Sequence, residues 1–226
     1  MGYSITAKDL KIGYSSTLAN ISTFNIEQGE IVSIIGESGI GKTTFLKTIA
    51  NLISPLDGDL QTFEQPTQRI RGRIGYIPQK LGLVKHASVF SNVLQGAICN
   101  EPVWRSITGF HEESTLGKVH DTINLMGLSD KSEEPISKLS GGQQRRVAIA
   151  RTIAQNPKLI LADEFLSELD AKTAEKVWKT MLEYVKENEI TLVIVEHNID
   201  WANLAERCFK MEKSNDDNYP NLVEVK

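Results

Sequence analysis

The sequence predicts an α/β fold built on a mostly parallel sheet, with a helical segment inserted into it. Three short apolar runs rich in β-branched residues, 30–36, 158–164 and 191–197, are typical of buried strands. Helical segments separate these runs along the chain, and strands that alternate with helices favour a parallel sheet. Residues 80 to 138 are mostly helical in pattern, which indicates an inserted α-helical subdomain.

The other elements follow in chain order. Residues 4–12 alternate well enough for an edge strand, and 73–79 is typical of a further strand. Helical spacing predicts helices over 42–53, 87–98, 114–128, 143–155 and 170–188. The first and the fourth of these helices end at a proline, which cannot continue a helix. The tail 213–226 predicts a turn and a last strand.

Composition excludes several classes of protein. The 226 residues are 40% hydrophobic and 24% charged, which is ordinary for a globular protein with a sizeable core. The net charge of −4 and the lack of an evident basic, aromatic stripe argue against nucleic acid as a partner. The two cysteines, Cys99 and Cys208, suggest neither a disulfide framework nor a metal site. No apolar run approaches the ~20 residues of a membrane helix, so we expect any membrane role to come through a partner.

A phosphate-binding loop follows the first buried strand. Gly36, Gly41, Lys42 and Thr43 fit G-x-x-x-x-G-K-[ST] between a strand and a helix, the context that this motif requires. The backbone N–H groups would wrap the β- and γ-phosphates of a nucleotide, Lys42 would add positive charge, and the Thr43 hydroxyl suits Mg²⁺. The other loop residues predicted to contact the nucleotide are Ser38, Gly39 and Thr44. The alternative is a glycine-rich turn with an incidental lysine.

Two acids stand at the carboxyl end of the strand 158–164, where α/β proteins place ligands. Asp163 would hold Mg²⁺, directly or through water. Glu164 would polarise the attacking water, which is the general-base role in phosphoryl transfer. Alternatively, two acids at a strand end are simply solvated or cap a helix.

Two further side chains leave the sheet on the same side. His197 comes at the carboxyl end of the buried run 191–197, and we predict that it contacts the γ-phosphate in catalysis. Gln79 ends the strand 73–79, and its amide can touch both Mg²⁺ and the attacking water. The alternatives are a structural histidine and an ordinary loop glutamine.

A second anion cradle lies about a hundred residues after the first. The stretch "LSGGQQ" begins at Leu139, and Ser140 with the two glycines opens a predicted helix. Free backbone N–H groups at a helix start hold anions, and glycines let the anion come close. The alternative is a capped helix with a tight turn. The chain thus has two cradles, of which only the first has a lysine.

These motifs in this order resemble those of the ATP-binding subunit of an ABC transporter over nearly the whole chain. The matching stretches are "GESGIGKTT" from Gly36, "PQ" at Gln79, "LSGGQQRRVAIAR", "LILADE", "SELD" and "VEHN". The resemblance implies a P-loop NTPase fold of ABC type, with an antiparallel β edge beside the mostly parallel core sheet. It implies one ABC ATPase domain over 1–226, with a core and β subdomain in 1–79 and 141–226 and a helical signature subdomain in 80–140.

The resemblance also implies how the second cradle is used. In ABC ATPases two cassettes meet head to tail when ATP binds, so a homodimer is expected. The signature residues would then cap the γ-phosphate of the ATP held by the partner: Ser140, Gly141, Gly142 and Gln143. Asp170 would act across the dimer, and Tyr14 would stack on adenine, although a strand-end aromatic is also commonly a packing residue. The family more often has Ser at Thr43, Pro at Phe165 and Ala at Glu168.

One segment resembles a particular branch of the family. The stretch 87–110, "ASVFSNVLQGAICNEPVWRSITGF", is similar to the ATPases of phosphonate and phosphite importers. It implies import of a small phosphorus compound, transmembrane permease subunits, an external substrate-binding protein, and a place on the cytoplasmic face of the membrane. The alternative is that its apolar residues only pack the helical subdomain: Phe90, Val93, Leu94, Ile98, Trp104 and Phe110.

Other function classes remain open at this point. One is a soluble ABC protein without a permease, such as an iron–sulfur assembly ATPase. Another is an ABC subunit for a different substrate, such as amino acids or lipoproteins. A third is a P-loop enzyme of another type, such as a small-molecule kinase or a nucleic-acid motor, which "LSGGQ" and the net charge disfavour.

Overall fold

The computed structural model describes residues 2–66, 72–102, 105, 109, 111–197, 199–213 and 218–226. Trp104, Phe110 and Asn198, which the sequence analysis used, lie outside these described residues. None of the described helices is long and apolar enough to cross a membrane.

A six-stranded sheet forms the centre of the molecule. Its strands are β3 (Ile31–Gly36), β6 (Ile74–Ile77), β7 (Leu159–Asp163), β8 (Thr191–Val195), β9 (Arg207–Glu212) and β10 (Asn221–Glu224). They lie in the order β10-β9-β3-β8-β7-β6, and only the β9–β10 pair is antiparallel. The mostly parallel core sheet is therefore confirmed.

A second sheet is wholly antiparallel. It contains β1 (Tyr3–Gly13), β2 (Thr17–Glu27), β4 (Asp57–Thr62) and β5 (Gln65–Pro66) in the order β2-β1-β4-β5. The prediction of an edge strand over 4–12 is wrong in one respect, because β1 pairs with both β2 and β4. Alternating side chains report which face of a strand is buried, not whether its backbone groups are paired.

Each predicted helix is present. Helices within the described residues include α1 (Lys42–Ile49), α2 (Val89–Ala97), α3 (Glu113–Leu125), α4 (Gly141–Ala154), α5 (Ala171–Glu187) and the short α6 (Ile199–Ala202). The first is shorter than predicted, because Asn51 takes a left-handed conformation (φ 57°) and the Leu52 N–H bonds back to the Lys47 carbonyl.

Apolar side chains cover both faces of the central sheet, as a parallel sheet requires. On one face Phe24 of β2 makes edge contacts with Phe45 of α1 and Phe209 of β9, with ring centroids 5.1 and 5.0 Å apart. On the other face the strands share one apolar cluster with α2 to α5. Helix α4 packs against α2, α3 and β6, so it joins the helical segment to the sheet. The subdomain boundary at 140 stays a prediction.

Candidate active site

The carboxyl ends of four neighbouring parallel strands bring the predicted motifs to one edge of the sheet. The loop 36–44 follows β3, His197 follows β8, Glu164 follows β7 and Gln79 follows β6. They border a cavity of about 270 Å³. Its lining residues are Leu18, Ser38, Gly39, Gly41, Lys42, Thr43, Thr44, Gln79, Glu164 and His197. Leu18 of β2 was not predicted, because an apolar strand residue carries no signal of a binding site.

The loop 36–44 is tightly curved. Gly36 and Gly41 have φ of 152° and 122°, and a Cβ at Gly36 would lie 2.6 Å from the Met211 carbonyl oxygen, so glycine is required there. The Lys42 ammonium donates to the Gly36 and Glu37 carbonyls, each at 2.7 Å. Lys42 is only 5% exposed, and burial lowers its pKa. Its charge is therefore held inside the curve of the loop.

Asp163 receives a hydrogen bond on each carboxylate oxygen. The Thr43 hydroxyl donates to Oδ1 at 3.1 Å, and the Tyr76 hydroxyl donates to Oδ2 at 3.3 Å. Burial raises the pKa of Asp163, and these two hydrogen bonds oppose that shift. Sequence reasoning missed Tyr76, although its place on the strand that ends at Gln79 was a signal that could have found it.

Glu164 is held by two of the predicted catalytic residues. The Gln79 amide donates to Oε2 at 2.7 Å, and His197 Nε2 lies 2.8 Å from Oε1. The Glu164 backbone is left-handed (φ 51°) and its N–H donates to the Val195 carbonyl at 2.9 Å. That conformation costs on the order of 1 kcal/mol, and such strain is typical of functional sites. The structure therefore brings Glu164, Gln79 and His197 into one hydrogen-bonded group.

Glu196 is a buried acid beside this group that sequence reasoning did not single out. Its side chain is 5% exposed and accepts a hydrogen bond from the Leu166 N–H at 3.4 Å. Burial raises the pKa of Glu196 from 4.5 to about 7; the negative charge of Glu164 adds to the shift and Arg145 opposes it. The acid directly before His197 in the sequence was the available signal.

The second cradle forms the first turn of α4. Ser140 Oγ accepts from the Gln143 N–H at 3.3 Å, and Gln143 Oε1 accepts from the Ser140 N–H at 2.9 Å. This is a capping box, so the capped helix named as the alternative is present. Gly141 and Gly142 are the first helical residues, and N–H groups there have no partner within the helix. The geometry is thus compatible with a cap and with an anion cradle.

The remaining predicted residues lie away from the cavity. Ser140 to Gln143, Asp170 and Tyr14 are not among the described residues that line it. Asp170 caps α5 by accepting from the Thr173 N–H at 3.0 Å, and hydrogen bonds from the side chain and then the backbone of Thr173 lower the pKa of Asp170. Tyr14 is 67% exposed, so it is not a packing residue within this chain, and its contact with adenine stays a prediction.

The fold and this site define a P-loop nucleoside triphosphatase. The protein family described as ABC transporter matches residues 19–167, and the chain belongs to that family. It is an ABC ATPase subunit, and this match distinguishes it from P-loop enzymes of other types.

Two relatives and two solved structures illustrate the match. The chain is 33% identical to Phosphonates import ATP-binding protein PhnC 1 of Oceanobacillus iheyensis over 88% of this chain and 81% of that one. It is 35% identical to PhnC 2 of Halalkalibacterium halodurans over 88% and 85%. The dimeric, post-hydrolysis structure of the ATP-binding cassette MJ0796 with ADP and Pi aligns with a TM-score of 0.82 at 28% identity, over 98% and 99%. CbiO1 of Clostridium perfringens, part of the ABC transporter complex cbiONQ, aligns with a TM-score of 0.81 at 26% identity, over 99% and 88%.

We predict that Glu196 makes the protein less stable as the pH rises. Its pKa is about 7 in the folded chain and 4.5 in the unfolded chain, so the unfolded chain loses its proton first. The contribution of Glu196 to the free energy of unfolding is therefore largest below pH 4.5 and falls until about pH 7. The total loss is about 3 kcal/mol, because one pKa unit corresponds to about 1.4 kcal/mol. Glu196→Gln should remove this dependence when unfolding by urea is measured at pH 5 and at pH 8. An equal pH dependence in both proteins would contradict the assignment.

Proposed function

We propose that this chain hydrolyses ATP to drive the import of a small phosphorus compound of phosphonate or phosphite type. It works as a homodimer of cassettes bound to transmembrane permease subunits at the cytoplasmic face of the membrane, with an external substrate-binding protein in the complex. The names of the relatives and the resemblance of segment 87–110 support the substrate class. The cbiONQ complex supports the kind of assembly.

One observation carries the dimeric mechanism: of the two predicted phosphate cradles, the loop 36–44 lines the cavity, and the signature turn is not among the described residues that line it. Ser140, Gly141, Gly142 and Gln143 are then free to cap the γ-phosphate of ATP bound to a second copy. Asp170 acts across the same interface, and Tyr14 stacks on adenine. The dimeric cassette with ADP and Pi among the structural neighbours supports this arrangement.

The residues at the strand ends fit a magnesium ion. Thr43 and Asp163 offer a hydroxyl and a carboxylate whose oxygens lie 3.1 Å apart, and Gln79 offers an amide oxygen nearby. Oxygen ligands of this kind are those that Mg²⁺ prefers. When bound, Mg²⁺ would neutralise charge that develops on the phosphate oxygens. Thr43, Gln79 and Asp163 would hold it.

Different residues of the chain then have different roles in the reaction. The N–H groups of loop 36–44 and the Lys42 ammonium bind the phosphates and offset their charge. Glu164 accepts the proton of the attacking water. Gln79 and His197 hold the two oxygens of Glu164, which fixes the direction of the base, and His197 also faces the γ-phosphate.

Closure of two cassettes over ATP would transmit force to the permease. The helical segment 80–140 provides the groove for a short permease helix. Because α4 connects this segment to the sheet, ATP-driven closure would move the groove with the signature turn. This coupling gives the inserted segment its role in transport.

We predict that Glu164→Gln traps an ATP-bound dimer. The variant keeps the shape of the side chain and the bond from Gln79 but cannot take a proton, so ATP stays in place and holds the two copies together. Size-exclusion chromatography with ATP and Mg²⁺ should move the 25.2 kDa chain to the dimer position. A variant that stays monomeric with ATP would be strong evidence against the paired-cassette mechanism.

We predict that substitutions in the two cradles separate binding from dimerisation. Lys42→Ala removes the phosphate-binding charge and should abolish ATP binding or hydrolysis. Ser140→Arg blocks the second cradle, and the monomer should still bind ATP but fail to dimerise in the Glu164→Gln background. Calorimetric titration of each monomer with ATP measures ATP binding, and size-exclusion chromatography with ATP measures dimerisation. If Ser140→Arg lost ATP binding as fully as Lys42→Ala, the second cradle would serve its own chain.

We predict that the chain copurifies with a polytopic permease. The experiment is a pull-down from gently solubilised membranes of the native cell, with the partners identified by mass. A phosphonate- or phosphite-binding protein in the same complex would support the substrate class, and a binding protein for amino acids would contradict it. Soluble partners alone would favour an ABC protein without a permease.

A further inference from the structure

Arg145 lies in the second turn of α4 and is buried under the active site. Its side chain is 1% exposed. The guanidinium Nη1 donates to the Gln79 carbonyl at 3.2 Å, and Nη2 donates to the Ser167 hydroxyl at 2.8 Å. Nη2 also lies 3.9 Å from Glu168 Oε2. One side chain of the helix therefore holds two loops of the sheet edge.

One of those loops contains Glu164, and the other contacts its carboxylate. The Gln79 side chain donates to Glu164 Oε2 at 2.7 Å, so fixing the Gln79 backbone fixes the donor to the carboxylate. The Ser167 N–H donates to the Glu164 carbonyl at 3.1 Å, so Ser167 closes the turn that starts at Glu164. Arg145 thus supports both the carboxylate of Glu164, through Gln79, and the backbone of Glu164, through Ser167.

Stability alone does not explain a charge in this place. Burying a guanidinium costs several kcal/mol, and its nearest acid, Glu168, is largely exposed. Its Nε is buried and has no hydrogen-bond partner in the described part of the chain. Burial lowers the pKa of Arg145, and Glu168, Glu196, Glu164 and Asp163 oppose that shift. The charge is therefore kept where three acids of the site, Glu196, Glu164 and Asp163, interact with it.

We infer that Arg145 is a positioning residue for Glu164, and that it ties the base to the helix whose first turn is the signature cradle. Ser140 caps α4, and Arg145 follows on the same helix. When a partner's phosphate seats in the cradle, the helix is fixed, and Arg145 fixes Gln79 and the 164–167 turn with it. This inference rests on the proposed role of Glu164 as the base.

The first test compares two methionine substitutions on the same helix. Arg145→Met keeps an unbranched side chain that matches the arginine stem as far as Nε, and it removes the donors. Arg146→Met is the matched control, because Arg146 donates to the Met126 carbonyl, away from the cavity. We expect Arg145→Met to lower kcat for ATP hydrolysis by about 10- to 100-fold, the scale of a misplaced catalytic group. KM for ATP should stay within about threefold, and Arg146→Met should leave kcat within about twofold.

The second test combines Arg145→Met with Glu164→Gln in single-turnover hydrolysis. If Arg145 acts through Glu164, the double variant is no slower than Glu164→Gln alone. A further loss in the double variant, or full activity of Arg145→Met, would overturn the inference and leave the role of Glu164 intact. Full activity of Glu164→Gln would instead overturn the proposed function.

A milder variant covers the case in which Arg145→Met does not fold. Ser167→Ala removes one acceptor of the guanidinium and leaves the charge in place. We expect a several-fold lower kcat with unchanged KM, and again no further loss in the Glu164→Gln background. Unchanged kcat in Ser167→Ala, with Arg145→Met unfolded, would show that Arg145 is structural and would overturn the inference.

Discussion

The register of three parallel strands is the constraint on which the site depends. Ile77 of β6 lies opposite Ala162 of β7, and Asp163 of β7 lies opposite Val195 of β8. Gln79 and His197 each follow two residues after these positions, which is why both side chains reach the carboxylate of Glu164. A slip of one residue would turn each strand's side chains to the opposite face. Because apolar side chains cover both faces of this sheet, such a slip would also bury the wrong residues, so the packing of the core fixes the geometry around Glu164.

Charge balance is the second condition that this edge of the sheet must meet. Asp163, Glu164 and Glu196 stand within reach of one another, and burial or mutual repulsion raises the pKa of Asp163 and of Glu196. Two buried cations, Lys42 of α1 and Arg145 of α4, interact electrostatically with these acids. Binding a nucleotide phosphate adds more negative charge. The two cations therefore allow the acids to stay close enough for chemistry without driving the strand ends apart.

The sequence predicted the parts of the molecule whose signal is local. Each of these signals lies within about fifteen consecutive residues: the loop 36–44, the acid pair after β7 and the spacing of apolar residues in the helices. Contacts between distant segments left no such signal: the Tyr76 hydroxyl meets a carboxylate 87 residues away, and Arg145 meets a carbonyl 66 residues away. Strand β4 was missed for a different reason, since its residues are mostly exposed and show no apolar alternation.

The two cradles differ in the charge that they can offer, and this difference favours a second copy of the chain as the occupant of the signature turn. A helix start contributes only about half a positive charge, and Ser140 and Gln143 already satisfy each other's backbone N–H groups. Such a turn holds a phosphate well only when another group has neutralised part of that phosphate's charge. In the proposed mechanism Lys42 does so, and it lines the cavity from which the signature turn is absent. A nucleotide bound at Lys42 of one copy and closed by Ser140 of another meets both requirements, and each site is then complete only in the pair.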